Sequence, residues 1–96
     1  MADLLVSVRA EADLRHIWRY IAVHNPDAAD RLLLRLDERI QMLRRFPRLG
    51  PLRSDIRIGL RMLVEGSYLL LYEYNAHRDE VELIAVDGRR ELSGLF

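Results

Sequence analysis

Residues 60–86 constrain this chain more than any other stretch. They read LRMLVEG, then SYLLLYEY, then a polar break, then VELIAV. Leu60, Met62 and Val64 alternate with Arg61, Leu63 and Glu65, the two-residue period of a half-buried strand. Glu65-Gly66-Ser67 is short and carries a glycine that tolerates positive φ, so it predicts a tight hairpin. Residues 68–74 are apolar on both sides, with Tyr68, Leu70, Tyr72 and Tyr74 on one and Leu69 and Leu71 on the other. Such a strand is central in its sheet, or one of its faces waits for a partner. Residues 75–79 read as the next turn and 81–86 as a third strand. An antiparallel meander results, and the preceding chain must pack against it.

What precedes it is helical. After a short apolar run at 4–8, which predicts a strand, Ser7 is a candidate N-cap. Ala10, Leu14, Ile17, Trp18 and Ile21 then fall within an arc of about 100° on a helix, bordered by Asp13, Tyr20 and His24. Pro26 disfavours a helical Asn25, so this helix stops near His24. Asn25-Pro26 starts a second one, with Asn25 as cap and Pro26 in the first turn. Asp27 and Asp30 place negative charge near the positive end of its dipole. Ala29, Leu32, Leu33, Leu36, Ile40 and Leu43 form its apolar arc, Arg31, Arg35 and Arg39 run down the opposite side, and Arg44 and Arg45 complement the C-terminus before Pro47 ends it. Leu34 and Met42 stand apart on its polar face. The link between the helices is so short that they form an antiparallel hairpin. Residues 47–57 are a loop with two prolines and a glycine. The order β-α-α-β-β-β predicts one α+β domain over residues 1–96, a helical hairpin packed in two layers on an antiparallel sheet.

Composition narrows function mostly by exclusion. The 96 residues suit one domain. No cysteine is present, which rules out disulfides and thiolate metal sites. No apolar run is long enough to span a bilayer and no signal peptide is evident, so the expected location is cytoplasmic, with no membrane role. All 15 basic residues are arginine, and they balance 15 acids. The balance is uneven along the chain. Residues 47–64 hold four Arg against one acid (+3), and residues 65–87 hold one Arg against six acids (−5). A zero net charge argues against a general nucleic-acid binder.

No motif demands catalysis. There is no phosphate-cradling glycine loop. His16, His24 and His77 fall in separate elements with no zinc-binding pattern, so neither a metal nor a cofactor is expected. Ser7, Ser54, Ser67 and Ser93 lack a context that would activate a nucleophile. The arginines remain. Arg53, Arg57 and Arg61 converge with Arg89 and Arg90 if the tail lies beside the sheet. Such a cluster would hold RNA phosphate, a carboxylate of a protein partner, or Glu65, Glu73 and Asp87 of the same chain.

The ordered set AEADLRHIWRYIA, NPDAADRLLLRL, FPRLGPLR, GLRMLVEGSYLLLYEY and VELIAVDGRREL resembles the ParE branch of the RelE/ParE toxin superfamily, over nearly the whole chain. The resemblance implies the toxin of a bacterial type II toxin–antitoxin pair. Its partner would be a ParD-type antitoxin with a DNA-binding N-terminal domain, so that operator DNA is met only through the antitoxin. RelE-like members cleave mRNA on the ribosome, and ParE-like members poison DNA gyrase. In the RelE-like pattern an arginine follows the hairpin tyrosine, whereas here Leu69 follows Tyr68. The tail shows Asp87-Gly88-Arg89-Arg90, with no histidine after His77 and no tyrosine after Tyr74. RNA cleavage must move a 2′-hydroxyl proton and stabilise phosphate charge. Arginine does the second but, at its ordinary pKa, not the first. The resemblance therefore favours a gyrase inhibitor. A ribosome-dependent nuclease built on Arg61, Arg89 and Arg90 is the alternative.

One expectation concerns the partner. Tyr68, Leu70 and Tyr72 supply the bulk for the helix-facing core, which points Leu69 and Leu71 at solvent unless something covers them. They join Leu34, Met42, Arg53, Arg57 and Arg61 as antitoxin-binding candidates, the acids of an antitoxin tail meeting the arginines. The alternative is that the sheet curls, or that Leu95-Phe96 folds over these leucines. Arg89, Arg90, Leu95 and Phe96 are the candidates for toxicity.

Overall fold

The computed structural model describes residues 1–88. The elements are β1 (Asp3–Val6), α1 (Val8–Ala22), α2 (Pro26–Arg45), β2 (Leu60–Glu65), β3 (Tyr68–Asn75) and β4 (Glu80–Gly88). The strands form one sheet in the order β1-β4-β3-β2. The meander β2-β3-β4 is antiparallel, as its short turns require. β1 enters parallel to β4. The sheet is thus mixed rather than wholly antiparallel, because the helical hairpin carries the chain across one face before β2 begins.

Local chemistry places each boundary. Ser7 caps α1 by accepting from the Ala10 N–H at 3.0 Å, and its hydroxyl also donates to the Ile84 carbonyl at 2.7 Å. Asn25 caps α2 by accepting from the Ala28 N–H. In the β2–β3 hairpin Gly66 takes φ +59°, and Ser67 does not share the positive φ, the pattern of a II′ turn. Beyond the end of β1, side chains of the opening helix protect the edge of β4. Ser7 holds the Ile84 carbonyl, and Asp13 Oδ2 accepts from the Val86 N–H at 3.0 Å.

A register shift at Leu71/Tyr72 organises the core. Leu71 pairs with Ala85 and Tyr72 with Leu83, so Ile84 is an extra residue in β4. Val81, Leu83 and Val86 consequently face the helices, where they meet Leu70, Tyr72, Leu36, Ile40 and Leu43. Ala85 turns to the other side. There a second, smaller core joins Leu60, Leu71 and Ala85 to Ile56, Met62 and Ile84.

That second core corrects one expectation. Leu69 and Leu71 do not face solvent; they are 3% and 0% exposed. For Leu71 the cause is the segment before β2, which brings Ile56 onto the sheet face away from the helices. The same segment lines part of the β2 edge, with Arg53 N–H bonded to the Leu60 carbonyl and Met62 N–H to the Pro51 carbonyl. It is anchored at Gly50. The Gly50 N–H donates to the Tyr72 hydroxyl at 2.8 Å, and Arg61 Nη1 donates to the Gly50 carbonyl at 2.8 Å.

Candidate functional site: a groove between the helices

Three consecutive leucines on α2, Leu32, Leu33 and Leu34, spread over about 200° of the helix and cannot all face the sheet. Leu32 is buried, Leu33 is half-buried, and Leu34 is 64% exposed. Leu33 and Leu34 lie on the side of α2 nearer Leu14 and Trp18 of α1. Together with Ile40 these residues floor an open, mainly apolar groove of about 920 Å³.

The walls of the groove differ in sign. α1 contributes Arg15 and Arg19, and α2 contributes Asp30 and Asp37. Asp30 accepts a hydrogen bond from the indole Nε1 of Trp18 at 2.8 Å, which fixes the ring in the floor. The four ion pairs within the described residues are Arg9–Asp13, Arg39–Glu65, Arg53–Asp55 and Arg57–Glu73. None of them crosses this groove.

The other candidates scatter. Met42 is 36% exposed, but it lies eight residues from Leu34 on α2 and therefore about 80° around the helix. Its Sδ accepts from Arg39 Nη1, and Arg39 reaches Glu65 at the end of β2. Leu34 and Met42 thus belong to different surfaces.

Arg53, Arg57 and Arg61 are committed within the chain. Arg53 makes a two-pronged contact with Asp55 at 2.9 and 2.8 Å. That hydrogen bond holds Asp55 below the usual carboxylate range and raises Arg53. Arg57 binds Glu73 Oε2 at 3.1 and 2.6 Å. Arg61 donates to the carbonyls of Gly50 and Arg48. Of the three fates open to these arginines, the structure shows contacts with acids and carbonyls of the same chain. Arg89, Arg90, Leu95 and Phe96 lie outside the described residues.

The sheet face away from the helices is acidic towards the β3–β4 turn. Glu73 pairs directly with Glu82, and Glu80 stands beside Asn75 and Asp3. At that end Tyr74 donates its hydroxyl to Asp79 at 2.8 Å, which raises its pKa, while Arg48 stacks over its ring. Among the described residues, no group of three His, Cys, Asp or Glu side chains could hold a metal ion. No helix there is long and apolar enough to cross a membrane.

Residues 4–92 match the family described as the ParE toxin of the type II toxin–antitoxin system parDE. The chain belongs to the ParE toxin family. A curated relative, Toxin ParE3 of Caulobacter vibrioides, is 37% identical over 82 residues, covering 84% of this chain and 81% of that protein. Among solved structures, a chain of the chromosomal ParDE system of P. aeruginosa matches with a TM-score of 0.76 at 21% identity, over 92% of this chain and 96% of that one. A chain of the toxin–antitoxin complex RelBE2 from Mycobacterium tuberculosis matches with a TM-score of 0.69 at 27% identity, over 92% and 98%. This ParE-family chain thus shares its fold with a chain of a ParDE system and with a chain of a RelBE2 complex.

Reading the sequence alone missed the groove. Leu14, Trp18 and Leu33 belong to apolar arcs that look like core, and Arg15, Arg19, Asp30 and Asp37 look like ordinary surface charge. The available signal was the leucine triplet.

Proposed function

We propose that this ParE-family toxin arrests growth in the cytoplasm by binding DNA gyrase, and that a cognate ParD-type antitoxin neutralises it. The observation that carries the reading is the position after the hairpin tyrosine. RelE-like nucleases place an arginine there, and this chain places Leu69, which is buried. A buried leucine neither binds phosphate nor moves a proton. The acidic sheet face supports the same reading, because Glu80 and Glu82 would repel an RNA backbone there. Arg61, the one described member of the alternative nuclease set, is already occupied by two backbone carbonyls.

The antitoxin keeps the toxin silent by covering exposed apolar surface, and the α1–α2 groove is the surface that supports this role. The antitoxin carries operator-DNA contact, and the toxin meets operator DNA only through it.

Purified toxin added to gyrase should stop supercoiling or accumulate cleaved DNA complexes, and antitoxin should reverse the effect. Normal gyrase turnover at saturating toxin would refute the target. Codon-linked mRNA cuts by primer extension after induction, lost in Arg90→Ala, would establish the nuclease instead.

A further inference from the structure

The sheet has two edges, and the chain treats them differently. The β2 edge is lined by the chain's own loop. There the Arg53 N–H donates to the Leu60 carbonyl, the Met62 N–H donates to the Pro51 carbonyl, and Leu52 bridges to Arg61. The other edge is β1, and it is closed only at its ends. Asp3 and Ser7 donate their N–H groups to the Asp79 and Leu83 carbonyls beside β1. Bonds to a parallel neighbour recur at every second residue, so Asp3, Leu5 and Ser7 turn their main-chain groups inward, and Ala2, Leu4 and Val6 turn theirs outward.

At Ala2 the last turn of α2 takes both outward groups. The Ala2 N–H donates to the Arg44 carbonyl at 2.8 Å, and Arg44 Nε donates to the Ala2 carbonyl at 3.0 Å. Past Ser7 the edge passes to β4, where the Ser7 hydroxyl and the Asp13 carboxylate occupy the Ile84 carbonyl and the Val86 N–H. Between these closures Leu4 and Val6 remain. Their two N–H groups and two carbonyls meet no hydrogen-bond partner among the described residues.

The geometry points to this window as a self-pairing site, through which two copies of the toxin join β1 to β1, antiparallel, about a twofold axis at Leu5. The inference stands apart from the choice of target above.

The window fits a second copy of itself. In an antiparallel pair, opposed residues that exchange two hydrogen bonds alternate with opposed residues that exchange none. With Leu5 opposite Leu5 of the copy, Leu4 falls opposite Val6 and Val6 opposite Leu4. Both of these are outward-turned residues, so four hydrogen bonds form and no group of the window is left over. Leu5 takes the non-bonded position, where opposed side chains come closest. It is 46% exposed, on the sheet face away from the helices, because its neighbours Leu4 and Val6 pack into the helix-facing core. The same register sets Asp3 opposite Ser7, so no like charges meet. β1 carries no proline, lysine or bulge that would turn another strand away. Since the β2 edge is already lined, pairing closes at two copies and does not grow into a fibre.

The affinity is set by the small size of the window. Two hydrogen-bonding residues and one leucine bury far less than the roughly 1,200 Å² of a stable specific interface. The dimer is therefore weak, with a Kd on the order of 0.1 mM. It forms where toxins are held near one another, at an effective concentration of about a millimolar.

The chain contains no cysteine, so a single introduced one reports the register. Opposed Cα atoms of a non-bonded antiparallel pair lie about 4.5 Å apart, within reach of a disulfide. Leu5→Cys toxin at about 0.2 mM, oxidised with diamide, should become a covalent dimer. Asp3→Cys, whose counterpart in the copy lies about 13 Å along the strand, should stay monomeric under the same treatment. Cross-linking in neither variant, or to the same extent in both, would overturn the proposal.

Sedimentation equilibrium supplies a second reading without cysteine. The mass of the unaltered toxin should rise towards that of two copies as its concentration approaches about 1 mM. Leu5→Lys and Leu5→Glu each set like charges across the axis and should weaken association at least about tenfold, whereas a mixture of the two should restore it. Far-UV circular dichroism checks that both variants fold, as the exposure of Leu5 leads us to expect. A mass of one copy throughout, or a mixture no more associated than its components, would refute self-pairing. If the toxin stays monomeric and an extended antitoxin segment instead slows hydrogen exchange at the Leu4 and Val6 amides, the edge belongs to that partner and the inference falls.

Discussion

Gly50→Ala is the most exacting test of how this fold is held. A Cβ at Gly50 would lie 2.9 Å from the Met62 carbonyl oxygen and 3.0 Å from both the Met62 carbonyl carbon and Tyr72 Cε1. Two of those atoms are strand backbone in a paired register, and the third belongs to a fully buried ring, so none can retreat freely. Overpacking of this kind costs about 1–3 kcal/mol. If the loop backs away, the buried Gly50 N–H leaves the Tyr72 hydroxyl, and an orphaned donor costs about 1–3 kcal/mol more. We expect about 3 kcal/mol in total, which at about 1.5 kcal/mol per molar of urea lowers the unfolding midpoint by about 2 M. Far-UV circular dichroism and Trp18 emission should report the same shift. Tyr72→Phe breaks the same bond alone. Its effect should add to that of Gly50→Ala by clearly less than the sum, because the double variant loses the bond only once. An unchanged midpoint in Gly50→Ala would refute the close approach, and strict additivity would refute the shared hydrogen bond.

Other outcomes follow from the same contacts. Leu71→Glu places a carboxylate among Leu60, Ala85, Ile56 and Met62 and should cost more than about 4 kcal/mol, abolishing cooperative unfolding; a stable variant with weakened antitoxin binding would instead make Leu71 a docking residue. Ser7→Ala removes both the α1 cap and the bond to the Ile84 carbonyl and should cost about 1–2 kcal/mol in urea melts. Burial raises the Tyr72 pKa above its ordinary 10.0. The folded protein therefore holds that proton longer than the unfolded chain, so the associated stability is full below pH 10 and is lost as pH rises through the folded value. Alkaline denaturation should steepen in that range, and Tyr72→Phe should flatten it. The exposed Arg57–Glu73 pair should show a coupling below about 1 kcal/mol in a double-mutant cycle, shrinking with salt.

Most of the architecture was legible because period and punctuation agreed. Asn25-Pro26 ends one helix and begins the next, Gly66 turns a hairpin, and Ser7 caps α1 as its position suggested. Alternation sorted the two sides of β3, and the bulk of Tyr68, Leu70 and Tyr72 identified the side that faces the helices. Alternation failed in β4, where the extra residue Ile84 exchanges the sides of Ala85 and Val86. VELIAV contains no glycine or proline to mark a bulge, and only the pairing partner reveals it. The parallel entry of β1 was equally hidden. A four-residue strand followed by two helices fits either direction, and long-range contacts decide.

The functional surface was harder to read because both faces of β3 are apolar. That pattern has two solutions, a central strand covered by its own chain or a strand held open for a partner. The deciding residue is Ile56, which sits in a stretch with no period, next to prolines and arginines, and gives no local sign of burial. Its packing over Leu71 closes the sheet, and Asp55 and Glu73 engage the arginines that an antitoxin tail was expected to meet. Among the described residues, no segment packs over the groove of the helical hairpin in this way. α2 places leucines over more of its circumference than the sheet can absorb, and the remainder fall beside Trp18 between walls of opposite charge. The exposed apolar residues of α1 and α2, rather than Leu69 and Leu71, are therefore the ones left open among the candidates on the sheet and the helices. On the proposed reading, a neutralising partner meets an open apolar groove between α1 and α2, whereas at Leu71 it would have to displace Ile56 first.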